Sequence, residues 1–270
     1  MSRSVHATEP VPRTAASSAR GTPAGTEARP PRALWAARHF LRWAGVAGIP
    51  SVLLGILLQY PSLDVQWEIP WAHLVLVTAA GLAGMILAVL IWRVAVALDN
   101  ARLVLVALAF YVMGIFLLLH ALLTPETLLA YTTTGAEIAA VVGFFTCSAF
   151  LAASSLTLSP GSQRAVLRNT TRLAGGITLL ALVMAALALS QPGLLGNAPV
   201  TANEYGNIDS RVNGGISLIT LCLLAAATVP YYKDFRLTGL RFPETMTTGL
   251  LALQVAAVAF IVSSVWRVRW

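Results

Sequence analysis

Between residues 43 and 266 the chain returns seven times to a predominantly apolar run, at roughly 43–60, 72–92, 102–123, 135–156, 173–190, 214–231 and 246–266. A helix rises about 1.5 Å per residue, so about 20 residues are enough to cross the roughly 30 Å hydrocarbon core of a bilayer. Inside that core no water is present to satisfy a backbone amide, so each run must close its own hydrogen bonds, and a helix does so. The pattern therefore predicts an all-α fold, a polytopic membrane helical bundle of about seven transmembrane helices occupying residues 34–270. The composition agrees: 57% of residues are hydrophobic and only 11% charged, against about 25% charged in a soluble domain. The first run is short and interrupted by Pro50, which a membrane helix tolerates where neighbouring groups re-satisfy the freed carbonyl.

Residues 1–33 are rich in Pro, Ala, Ser, Thr and Arg and hold almost no large apolar side chains, so a disordered tail is expected there. No apolar stretch of signal-peptide type follows within the first 30 residues. The net charge of +7 does not point to nucleic acid, because the basic residues lie in the tail and between apolar runs rather than on one folded face. One set of loops carries Arg93, Arg102, Arg164, Arg168, Arg172, Lys233, Arg236 and Arg241, while the alternate loops carry only Arg211 beside Asp64, Glu68, Glu126, Glu204 and Asp209. Basic loops stay in the cytoplasm. The reading is a multi-pass protein of the bacterial inner membrane with a cytoplasmic N-terminus and an external C-terminus, which leaves Arg267 and Arg269 on the outer side.

No phosphate-cradling glycine loop, HExxH zinc motif, CxxCH haem attachment or serine-centred elbow is present, and no catalytic activity is expected. The acidic residues lie almost entirely in loops, so the mid-membrane carboxylate of a proton-coupled transporter is missing. Gln254 is the clearest polar residue within a run and reads as glue between helices. Cys147 and Cys222 fall in the middle of runs and read as buried thiols.

The histidines carry more information. His73 opens the second run and His120 closes the third, so the two should share a depth near the outer surface on consecutive antiparallel helices. Glu137 starts the fourth run across a short hairpin from His120, and Glu68 and Asp64 precede His73. Two imidazoles with nearby carboxylates can bind Zn or Cu or ligate a haem. Alternatively they form a polar belt with Trp67 and Trp71, bonding to carbonyls or stacking on rings. Past His120, Thr124-Pro125-Glu126 has the order of a helix start, namely N-cap, first-turn proline and an acid at the positive helix end. A short interfacial helix is expected at 124–130.

The stretch "DVQWEIPWAHLVLV" at 64–77 followed by "ARLVLVALAFYVMGIFLLLHALLTPETLL" at 101–129 resembles the N-terminal multi-span membrane sensor region of actinobacterial-type signalling proteins. In those proteins the region precedes an adenylate/guanylate cyclase, GGDEF or similar output domain. Trp67, Glu68, Pro70, His73, Leu119, His120, Ala121, Leu122, Thr124 and Pro125 match the pattern, and Glu126 departs from its usual glycine. The resemblance implies a sensory module without catalytic activity. Its outer cluster of His73, His120, Glu137 and Glu68 would take a ligand, metal or cofactor and signal through a membrane-protein partner or a homo-oligomer. In such proteins the chain continues past a "W-R-x-x-W" stretch into a further span and an output domain, whereas this sequence ends there, at Trp270. Two other readings stand beside it: an accessory or structural subunit of a larger respiratory or photosynthetic membrane complex, and a small transporter.

Overall fold

The structure is a computed structural model, and it describes residues 32–60, 70–124, 135–190 and 210–266. These form seven helices and no strand: α1 (Arg32–Gln59), α2 (Pro70–Ala97), α3 (Ala101–Leu123), α4 (Gly135–Ser155), α5 (Pro160–Ser190), α6 (Ser210–Thr238) and α7 (Arg241–Trp266). Six of them, α1 to α6, are long and apolar enough to cross a membrane. The seventh opens on the polar stretch Arg241-Phe242-Pro243-Glu244. The chain is a multi-pass helical membrane protein.

The expected runs and the helices coincide best where both ends of a helix are apolar, as in α3 and α4. They differ where a helix continues into polar sequence. α5 begins at Pro160 rather than near 173, because Ser159 caps it: the Ser159 hydroxyl oxygen accepts the Ser162 N–H at 3.2 Å. Proline then sits at the first helical position, where its missing N–H costs nothing. α6 runs on to Thr238 and ends where Gly239 adopts φ +66°, with its N–H donating to the Phe235 carbonyl at 2.8 Å. The tail 1–31, the expected helix after Thr124, and the stretches holding Asp64, Glu68, Glu126, Glu204 and Asp209 lie outside the described residues.

The unit Leu41–Trp270 contains the packed bundle, and the described part of the other unit, Met1–Phe40, is the start of α1. α3 is the best-buried helix. It packs on α2, α4 and α5, and α4 in turn meets α6, which pairs with α7. Two glycines set how closely α3 approaches its neighbours. A Cβ on Gly114 would fall 2.6 Å from Met85 Cγ and 2.8 Å from the Gly81 carbonyl oxygen, and one on Gly143 would fall 2.5 Å from Phe116 Cβ. Hydrocarbon drives no apolar side chain inward, so close backbone approach of this kind is what holds membrane helices together. Polar bonds add to it: the Tyr111 and Thr178 hydroxyls lie 2.6 Å apart between α3 and α5, and Gln254 Nε2 donates to Thr228 Oγ1 at 2.7 Å between α7 and α6. Gln254 thus acts as the glue the sequence suggested.

Most of the surface of α1 and α2 is exposed and apolar, with Ile49, Val52, Val75, Leu76 and Ile86 all facing outward. In a bilayer these side chains meet acyl chains. Cys147 is buried, as expected, but Cys222 is exposed on α6. The middle of an apolar run is no guarantee of burial in protein when the surroundings are themselves hydrocarbon.

Candidate functional site

α2 starts at the end of the bundle where α3 stops, so the first turn of one lies beside the last turns of the other. His73 Nε2 and His120 Nε2 face each other at 3.3 Å, with the rings at 69° and their centroids 5.4 Å apart. His73 is exposed and His120 half-buried. The second nitrogen of His120, Nδ1, lies 2.8 Å from the Ala136 carbonyl oxygen in the first turn of α4. A carbonyl can only accept, so Nδ1 carries the proton and donates it to Ala136. In neutral His120 the Nε2 therefore presents a lone pair to His73. Three consecutive helices meet in this one chain of contacts.

The end of α3 is held in place behind the ring. Thr124 Oγ1 donates to the His120 carbonyl at 2.8 Å, and Thr124 itself caps α3 in an extended conformation. The His120 side chain is thus anchored at Nδ1 and its backbone is anchored at the carbonyl.

Of the four residues anticipated here, His73 and His120 come together. Glu137 lies in the first turn of α4, half-buried and next to the residue whose carbonyl holds His120. Glu68 is outside the described residues. Among the described residues no group of three or more His, Cys, Asp or Glu side chains converges as a metal cage would. The pair does not suit a haem: iron held from both faces needs its two nitrogens about 4 Å apart with the macrocycle between them, whereas these nitrogens are 3.3 Å apart and face each other directly.

A second polar centre lies at the opposite end of α3, and sequence reasoning missed it. Arg102 Nε donates to the Ser154 carbonyl on α4 at 2.8 Å, and a terminal nitrogen of Arg102 meets Asp234 Oδ2 on α6 at 3.2 Å. The guanidinium also lies over the Tyr231 ring, 5.3 Å from its centroid. Ser154 spends its single hydroxyl proton on the Leu151 carbonyl at 2.7 Å, so Tyr231 donates to Ser154 Oγ at 2.9 Å. In the sequence Arg102 stands out only as one of the bases of its loop. The available signal was Asp234, an acid alone among the bases of "YYKDFR".

The same end holds α1. Arg42 pairs with Glu244 of α7 at 2.6 Å, and the Trp43 indole N–H donates to Thr248 Oγ1 at 3.1 Å. The Trp43 ring meets Tyr232 and Phe235 of α6 edge-on. At this end too, α3 is turned back from α2 by Asp99, at φ 48°, and by Asn100, whose side chain accepts the Leu103 N–H at 3.2 Å. Aspartate enters the left-handed region more readily than most residues.

Fold and site together define a multi-pass helical membrane protein with paired imidazoles at one end of its most buried helix and a charged network at the other. No family model, curated protein or solved structure matches the chain.

Proposed function

We propose that the protein is a non-catalytic sensor of the bacterial inner membrane, with its N-terminus cytoplasmic and its C-terminus external. The stimulus arrives at the histidine end, outside, and the response leaves through the arginine-rich end, inside, to a partner that carries the output. The single observation behind this reading is α3. It is the best-buried helix, it bears His120 in its last turn, and it bears Arg102 in its first. A displacement of α3 at one end therefore bears on α4 and α6 at the other through Ser154 and Asp234. Coupling of this sort is a population shift between two packings of one element, and it needs no chemistry. The likeness of residues 64–77 and 101–129 to the sensor regions of signalling proteins supports the same reading.

The test places spin labels at Leu156 and Leu237, both exposed at the arginine-rich end, with Cys147 and Cys222 replaced by alanine. His120→Ala should change the distance distribution between the labels, whereas Val75→Ala, at an exposed position of α2, should not. Identical distributions in the two variants would overturn the sensor reading. A second reading, an accessory subunit of a larger membrane complex, draws on the wide apolar face of α2. Co-purification with oxidoreductase or photosynthetic subunits would select it.

A further inference from the structure

We infer that His73 and His120 together bind one divalent transition-metal ion of the zinc type through their Nε2 atoms. The inference deepens the sensor reading and rests on it for the site's role, but the binding itself stands on geometry.

The Nε2 to Nε2 separation is 3.3 Å. That is beyond the roughly 2.7–3.2 Å of a good hydrogen bond from a nitrogen donor. It equals the edge of a tetrahedron whose two metal–nitrogen bonds are each about 2.0–2.1 Å long, which comes to about 3.3 Å. A square-planar edge built from bonds of the same length would be shorter, about 2.9 Å, so the spacing favours zinc over the tetragonal preference of Cu²⁺. An ion seated between the two nitrogens needs no approach or retreat of α2 from α3.

His120 also has the support that a ligating imidazole requires. Its Nδ1–H donates to the Ala136 carbonyl at 2.8 Å, which fixes the tautomer and turns the Nε2 lone pair away from α4 and towards His73. Metal-bound histidines nearly always donate their other N–H in this way. His73 is exposed, so an ion can reach the pair from the membrane surface without opening the bundle.

Among the described residues these two nitrogens are the donors that converge, so the remaining positions of the ion are open to water or another donor. Binding would give both Nε2 lone pairs to the cation, with the proton of each neutral ring on Nδ1, and would fix the first turn of α2 to the last turn of α3.

The experiment is titration of Zn²⁺ into the purified full-length protein in detergent, followed by calorimetry and by competition with a chromophoric chelator. Co²⁺ serves as the spectroscopic substitute. One equivalent should bind per chain, and Co²⁺ should show the intense visible bands of a four-coordinate site. His73→Ala and His120→Ala should each weaken binding at least tenfold. His120→Gln, which retains a side chain able to donate to Ala136, should do the same while leaving the thermal transition close to wild type. Zn²⁺ binding of equal strength in wild type and in the His73→Ala/His120→Ala double variant, or no binding in either, would overturn the proposal. This measurement involves no partner and no signal. A negative result leaves the label distances at the far end as a separate test of the sensor reading, and altered distances cannot rescue the metal site.

Discussion

The two ends of α3 are built from different chemistry. At the arginine-rich end opposite charges meet: Arg102 satisfies Asp234 and the Ser154 carbonyl and lies over Tyr231, while Arg42 and Glu244 tie α1 to α7. At the histidine end two like groups meet, and their contact is satisfied only if one imidazole donates to the other. A pair of opposite charges with further hydrogen bonds is complete as it stands. A pair of imidazoles still has a lone pair directed at the gap, and that gap can take a proton or an ion. The first end is fitted to hold helices together and the second to change state.

The strongest way to break this contrast is to disturb the helix that both ends share. Gly114→Ile places a branched side chain where even a Cβ meets the Gly81 carbonyl oxygen at 2.8 Å and the Met85 amide nitrogen at 3.0 Å. Backbone atoms on α2 cannot yield as a side-chain end can, so α2 must move away. The expected loss is about 3 kcal/mol, at the upper end of overpacking costs, read by unfolding in mixed micelles. The displacement also parts His73 from His120, so any Zn²⁺ binding should be lost with it.

A smaller effect, confined to one end, comes from Arg102→Ala. It removes the donor to Ser154 and leaves Asp234 without its cation. Both members of the ion pair are partly exposed, at 38% and 41%, so the Coulombic part is discounted. The charge-assisted bonds to the carbonyl and carboxylate set the loss at about 2 kcal/mol. Zn²⁺ affinity at the histidine end should be unchanged within a factor of about two, because His73, His120 and Ala136 keep their positions. An equal fall in affinity would show that the ends are not separable.

Tyr231→Phe asks whether the network depends on its neutral member. The ring is fully buried and keeps its packing against Phe242, so what is lost is the hydroxyl's bond to Ser154, at 2.9 Å to Oγ and more weakly, at 3.5 Å, to the carbonyl. About 1 kcal/mol is expected, the net worth of one hydrogen bond, again with no change in metal binding.

How much of this was legible in the sequence differs between the same two ends. The fold was visible because apolar length is a property of the chain itself: α3 and α4 begin and end within a residue or two of the apolar runs. α5 was underestimated because a helix also continues through polar sequence once a serine cap and a proline start it, and apolarity does not report that. The meeting of His73 and His120 followed from depth alone, since one opens a helix and the other closes the next on the same side. The third partner did not follow. The Ala136 carbonyl is a backbone acceptor that no residue identity announces, whereas the neighbouring Glu137 is visible as a titratable side chain. At the other end, Arg102 and Asp234 are far apart in sequence, and only the packing of α3, α4 and α6 brings them together.

The smallest effect on stability should come at the site itself. His73 is exposed, and its ring meets His120 across the gap between α2 and α3. Replacing it with alanine removes one long contact and improves helix propensity slightly, so the expected change is within about 0.5 kcal/mol in either direction. The same variant should lose its zinc. His120→Ala should cost more, about 1 kcal/mol, because it also removes the bond to Ala136. The ratio of these two effects sharpens the comparison of the ends. If His73→Ala destabilised the protein as much as Arg102→Ala does, the imidazole pair would be a second staple, and the contrast between an end that holds and an end that changes would fail.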